Sequence, residues 1–186
     1  MRKAVFLDRD GTINIDKGYV YQIKDFEFIE KVPEAIAEMK RLGYLVIVLS
    51  NQSGVARGYY SEDEVAELHK YLNEQLRKSG TEIDGFYFCP HHPDGIVGRY
   101  RRQCGCRKPG IGMLQHAVQD FGIDVGNSWI AGDRERDLFL GYDIPAKRIL
   151  LEEGRNTLPC DINEKKYWIR KNLWEFVQKD LWKEGL

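Results

Sequence analysis

Four short polar segments of this chain carry residue types that together can transfer a phosphoryl group. Asp8-Arg9-Asp10-Gly11-Thr12 sets two carboxylates one residue apart, Ser50-Asn51 offers a hydroxyl, Lys108-Pro109 an ammonium, and Gly132-Asp133-Arg134-Glu135-Arg136-Asp137 further acids. Phosphoryl transfer needs positioning and charge stabilisation more than covalent chemistry supplied by the protein. Magnesium prefers oxygen ligands and keeps several waters, so two carboxylates suffice, and Asp8 and Asp133 suit that task. The cation would offset the repulsion between an anionic nucleophile and an anionic substrate. Asp8 can then attack phosphorus to form an aspartyl phosphate. Asp10 can protonate the leaving alkoxide and later take a proton from water. Ser50 and Lys108 can bind the transferring oxygens, the lysine as a point charge. An Asp-x-Asp-Gly alone can be a turn, and Asp133 alone a helix cap, so the assignment rests on the set and its order.

A second cluster has metal-ligand spacing. Cys89-Pro90-His91 and Cys104-Gly105-Cys106 form a C-x-H…C-x-C set, the donors of a closed tetrahedral Zn2+ site, which is structural rather than catalytic. His92 is the competing fourth ligand. The stretch between His91 and Cys104 shows no periodicity, and a loop of that kind inside a domain needs a reason to be ordered, which zinc supplies. Residues 89–106 are thus expected to be a zinc-stapled loop that delivers Arg107 and Lys108 to the site. The remaining cysteine, Cys160, is isolated and reads as a plain thiol.

The elements that must hold these residues alternate between strand and helix patterns. Residues 4–7 and 44–49 are nearly uninterrupted apolar runs, the pattern of strands covered on both faces. Residues 86–88, 129–131 and 148–151 are further strand candidates. Helices are expected over 33–42, after the Ser61/Glu64 capping box with its stripe Val65, Leu68, Leu72 and Leu76, around 114–121 ending at Gly122, over about 135–140, and along Ile169, Leu173, Phe176, Val177 and Leu181. The stretch from about 152 to 166 reads as irregular. Alternation of this kind predicts an α/β, Rossmann-like parallel sheet with helices on both faces, and ligands then bind beyond the carboxyl ends of the strands. The polar segments fall there. Residues 1–186 are expected to form a single domain, with no room for a separate cap domain.

Taken in order, Asp8-x-Asp10-Gly11-Thr12, Ser50-Asn51, Lys108-Pro109 and Gly132-Asp133-x-x-x-Asp137 resemble the four motifs of the haloacid dehalogenase superfamily. The resemblance implies a helical turn and flap after the first strand, magnesium bound by Asp8, Asp133 and the backbone carbonyl of Asp10, and a supporting role for Asp137. A narrower resemblance covers about residues 4–140. Phe6-Leu7-Asp8-Arg9-Asp10-Gly11-Thr12-Ile13-Asn14, Gly18-Tyr19-Val20, Asn51-Gln52-Ser53-Gly54-Val55-Ala56-Arg57-Gly58, Cys89-Pro90-His91-His92-Pro93 and Cys104-Gly105-Cys106-Arg107-Lys108-Pro109 look like the heptose bisphosphate phosphatases. It favours His91 over His92 as the zinc ligand. It also implies that Asp16 and Tyr19 on the flap contact sugar, that Ser53 contacts substrate, and that Arg107 recognises the sugar phosphate while Lys108 steadies the phosphoryl group. The family often has Thr where this chain has Ser50. Arg134 stands where lysine is expected and is read as a substrate contact of altered shape.

Histidinol-phosphate phosphatases look similar and are the alternative; Gly132-Asp133-Arg134 leans that way. Arg57 and Arg107 suit a second phosphate better than a cationic amine. A catalytically silent binding module would typically lose Asp8 or Asp10, and both are present. A net charge of −1 argues against nucleic acid as a partner, despite the basic run Arg99, Arg101 and Arg102 around Tyr100. No apolar run is long enough for a membrane span, and no signal peptide precedes Asp8. The expectation is a cytoplasmic, monomeric enzyme acting on a small sugar phosphate.

Overall fold

Ala4–Leu7 (β1) is apolar throughout and every side chain is buried, as a strand at the centre of a doubly covered sheet requires. The computed structural model, which describes residues 1–138, 140, 144–152, 160–162 and 165–184, sets it there. Leu45–Asn51 (β2) and Trp129–Gly132 (β4) pair with β1 on either side, both parallel to it. Gly85–Cys89 (β3), Lys147–Leu151 (β5) and Lys165–Arg170 (β7) extend the parallel sheet, and Cys160–Ile162 (β6) adds an antiparallel edge. The strand order is β3-β2-β1-β4-β5-β7-β6.

Strand alternation distributes the core between two faces. Val5, Leu7, Val46, Val48, Ala131 and Ile149 pack with Val32, Ile36 and Met39 of helix α1 (Val32–Arg41), and with Leu72 and Leu76 of α3 (Glu62–Lys78). Ala4, Phe6, Ile47, Leu49, Ile130 and Leu150 face Met113, Leu114 and Ala117 of α4 (Gly112–Phe121). Between β2 and α3 lies the short α2 (Ser53–Ala56), which the residue pattern did not indicate. The Ser61/Glu64 capping box forms, and Gly122 ends α4 with φ +63°. A short α5 (Glu135–Leu138) follows β4.

The C-terminal part departs from expectation. The stretch read as irregular falls partly outside the described residues, but its described portion includes β6 and the start of β7. The expected helix through Ile169 begins later. Ile169 is buried in β7, and Asn172, whose Oδ1 accepts from the Glu175 amide, caps a helical run formed by α6 (Leu173–Phe176), a π turn (Val177–Leu181) and α7 (Trp182–Glu184). The side chains of Tyr167, Trp168 and Ile169 are good strand formers, and Asn172 is a strong start signal, so the apolar period alone misplaced the boundary. The Cys160 side chain lies outside the described residues. Among those described, no helix is long and apolar enough to cross a membrane.

Candidate active site

The sheet order reverses between β1 and β4, and the loops leaving those strands diverge into a crevice. Asp8 follows β1 and is anchored by its amide, which donates to the Ala131 carbonyl at 3.1 Å. Asp133 follows β4. Gly11 permits the two loops to meet: φ is +84°, and a Cβ there would lie 2.4 Å from Asp133 Oδ2. Asp8, Asp133 and Asp137 each offer a carboxylate oxygen within 4.8 Å of the others.

Lys108 Nζ, on a residue only 4% exposed, lies 2.7 Å from Asp8 Oδ1 and 2.8 Å from Asp137 Oδ1. Arg134 reaches Asp16 at 3.3 Å and Asp133 at 3.5 Å. Four carboxylates thus share two cations, a surplus of two negative charges in a partly dehydrated crevice. Burial pushes the Asp8 carboxyl up to about 7 against the pull of Lys108, with Asp137 and Asp10 adding to the rise. Burial and then Asp137 raise Asp133 as well. Burial opposes the charge on Lys108, but Asp8 and Asp137 hold its affinity for the proton above the ordinary lysine value. Asp133 Oδ1 is buried with no hydrogen-bond partner among the described residues. An orphaned carboxylate oxygen amid surplus negative charge fits a divalent cation.

The Asp10 carboxylate points elsewhere. It accepts from Arg9 Nε and Nη2 at 2.9–3.2 Å, from Asn14 Nδ2 at 3.0 Å and from Gln52 Nε2 at 3.0 Å. Any share it has in a cation therefore falls to its backbone carbonyl. Arg9 is fully buried and also donates to the Val20 carbonyl at 2.6 Å. Its Nη1 lies 3.4 Å from His69 Nε2. Burial, then the charge of Arg9, pushes the His69 imidazole down to about 3, so the ring is neutral and accepts. Arg9, Asn14, Gln52 and His69 were not singled out from the sequence. Their polar character was visible, but nothing local indicates that they turn inward.

One cleft of about 350 Å³ gathers the expected substrate contacts: Asp16, Tyr19, Ser53, Arg57, Arg107 and Arg134 all line it. So do Asp8, Asp10 and Ser50, whereas Lys108 and Asp133 do not. Tyr60, His92 and Arg136 line it as well and were not anticipated. Arg57 Nε is buried without a hydrogen-bond partner among the described residues. Burial lowers the pKa of Arg107, and the charges of Arg136 and Arg57 act in the same direction.

The three cysteines and His91, not His92, converge. Sγ–Sγ distances are 3.1–3.5 Å, and His91 Nδ1 lies 3.6 Å from Cys89 Sγ and 3.4 Å from Cys106 Sγ. Sulfurs ~2.3 Å from a tetrahedral zinc stand ~3.8 Å apart, so a small expansion of this cluster would admit the ion. His92 Nδ1 instead accepts from the Asp94 amide. The loop is pinned to α2, where the Ile96 and Val97 amides donate to the Ala56 carbonyl, and to α3, where the Tyr100 hydroxyl donates to Glu62. Asn51 bridges to Lys108 through both its amide atoms, tying the loop's exit to the end of β2.

A family model described as polynucleotide kinase 3 phosphatase matches residues 3–145. A HAD-like phosphatase structure from Mesorhizobium loti superposes with a TM-score of 0.86 at 29% identity, covering 99% of this chain and 86% of that one. The D,D-heptose 1,7-bisphosphate phosphatase of B. bronchiseptica, solved with magnesium and phosphate, superposes at 0.81 and 24% identity over 97% of this chain and 99% of its own. Fold and site define a phosphatase of the haloacid dehalogenase type. Two relatives named D-glycero-beta-D-manno-heptose-1,7-bisphosphate 7-phosphatase are each 45% identical: that of Pasteurella multocida over 83% of this chain and 84% of its own, and that of Escherichia coli over 94% and 92%. The chain belongs to the D-glycero-beta-D-manno-heptose-1,7-bisphosphate 7-phosphatase family.

Gly11→Ala tests the close approach of the two loops. The added methyl meets the Asp133 carboxylate, and phosphatase activity is expected to fall on the order of 10²-fold with circular dichroism retained. Wild-type activity in that variant would show that Asp133 need not sit where it does.

Proposed function

We propose that this chain hydrolyses the 7-phosphate of D-glycero-β-D-manno-heptose 1,7-bisphosphate. The observation that carries the reading is the cleft, which joins the Asp8 carboxylate to Arg57 and Arg107 in one space. Such a space suits a substrate with a phosphoryl group to transfer and a second anion to hold. The relatives' names and the lengths they share with this chain support the same substrate.

In this reading Asp8, Asp133 and the backbone carbonyl of Asp10 would hold Mg2+, which would supply neutralisation of charge on the transferring phosphoryl group. An Asp8 carboxylate oxygen attacks phosphorus, the bond from phosphorus to the C7 oxygen breaks, and Asp10 supplies the proton that the leaving alkoxide takes. Water then attacks the phosphoaspartate, Asp10 accepts its proton, and Asp8 is released with inorganic phosphate. Lys108 and the Ser50 hydroxyl bind the phosphoryl oxygens. Asp16, Tyr19, Ser53 and Arg134 contact the sugar side of the cleft, while Arg57 and Arg107 face the second phosphate. Zn2+ held by Cys89, His91, Cys104 and Cys106 orders the loop that carries Arg107 and Lys108 into place.

The family model's description brings a polynucleotide end into consideration. Tyr100, the aromatic ring within the basic run, is buried with its hydroxyl on Glu62 and offers no stacking face to a base. Histidinol phosphate would place a cationic amine in a cleft that holds Arg57 and Arg107, a like-charge contact.

Phosphate release with magnesium, measured on heptose 1,7-bisphosphate and on histidinol phosphate, should favour the bisphosphate by at least ~10²-fold in kcat/KM. Equal rates, or the reverse preference, would overturn the substrate. Asp8→Asn should abolish turnover while leaving the fold intact; residual wild-type activity would remove Asp8 as nucleophile. Elemental analysis should find one zinc per chain, with Cys104→Ala losing it and melting at lower temperature. A zinc-free wild type of unchanged stability would contradict the metal site.

A further inference from the structure

Gln52 and Tyr60 line the cleft yet have no part in the chemistry described so far. Both are buried, at 2% and 7% exposure. The Gln52 amide nitrogen lies 3.0 Å from Asp10 Oδ2 and 2.7 Å from Ser50 Oγ, while the Tyr60 hydroxyl donates to Gln52 Oε1 at 2.7 Å. A primary amide has two N–H donors and one carbonyl acceptor. Here each is matched: one N–H to the carboxylate, one to the serine oxygen, the carbonyl to the phenol. The flipped amide would lose the N–H contacts to Asp10 Oδ2 and Ser50 Oγ and face the Tyr60 hydroxyl with its nitrogen, so the three contacts together select the orientation.

The ring of Tyr60 is held for this contact. It stacks on Tyr21 with centroids 4.9 Å apart. It also occupies the space of an absent Cβ at Gly54, 2.1 Å from where that atom would lie. Burial pushes its pKa above the ordinary tyrosine value, which keeps the hydroxyl protonated and able to donate.

We infer that Gln52, itself oriented by Tyr60, is a positioning residue that sets Asp10 and Ser50 together for the two halves of the reaction. Arg9 and Asn14 hold Asp10 from one side, and Gln52 supplies the contact from the side of the phosphoryl-binding serine. Because Ser50 Oγ accepts from Gln52, its own hydroxyl proton is free to point at a phosphoryl oxygen. One amide therefore aligns the group that handles the leaving-group proton with the group that binds the transferring oxygens.

The inference rests on the phosphatase reading above, with Asp10 as acid and base. Its signature is a dependence on the leaving group. An alkoxide needs the proton from Asp10, and general acid catalysis of that kind is worth roughly 10²–10⁴-fold. A p-nitrophenolate leaves without it. Gln52→Leu should therefore lower kcat/KM for heptose 1,7-bisphosphate on the order of 10²-fold, but for p-nitrophenyl phosphate about tenfold or less, the residue of a misaligned Ser50. Tyr60→Phe retains the ring and loses only the hydroxyl. It should show the same asymmetry at about fivefold against less than twofold, and it tests the idea should the leucine variant not fold. Equal losses on both substrates, or none, would overturn the inference. Wild-type turnover of the heptose substrate tests the underlying reading separately. If it is absent while p-nitrophenyl phosphate is cleaved, the substrate falls, and the ratio is read with whichever alkyl phosphate the wild type does cleave.

Discussion

A single buried ammonium, shared by two carboxylates, sets the terms for the rest of this site. Lys108 stands between Asp8 and Asp137, with Asp133 beside them. Removing one partner from a buried ion pair costs about 3–5 kcal/mol, because the other is left charged and unpaired. With more acids than cations, the crevice favours a divalent ion, and Asp133 keeps an oxygen without a partner among the described residues. The glycines follow from the same crowding. Gly11 admits Asp133, and at Gly132 a Cβ would lie 2.6 Å from that of Asp137.

Lys108 reaches this position by two tethers. Its backbone is bonded on both sides to the Asn51 side chain at the end of β2. Two residues upstream, Cys106 belongs to the cysteine–histidine cluster, whose loop rests on α2 and α3. Chain order thus places the proposed structural metal next to the proposed phosphoryl clamp, and Arg107, between them, enters the cleft. A loop of this kind can carry such a cation only if something fixes its base, and four convergent donors are placed for a metal that would do so.

Arg9 links the chemistry to the flap. Its guanidinium meets the Asp10 carboxylate, the Val20 carbonyl and the neutral His69 ring at once. Because it is fully buried, its charge depends on these partners rather than on water. Gln52 and Tyr60 form the corresponding support on the other side of Asp10. The result is a proposed acid–base group held by packed neighbours rather than by an exposed loop.

The amino-acid sequence by itself determined the parallel architecture and the identity of the acid, hydroxyl, lysine and cysteine groups. Those signals are local: apolar runs such as residues 4–7, and short motifs whose residue types are legible without their partners. It placed the C-terminal helix too early because the apolar period of Ile169 and Leu173 is compatible with a strand followed by a helix, and only pairing with β5 decides. Tertiary structure alone bound Arg134 to Asp16 across the cleft and turned Arg9 and Gln52 inward. Each of those outcomes depends on groups far apart in sequence competing for the same donor or acceptor. Such a competition is settled by burial and distance, which no stretch of residues records.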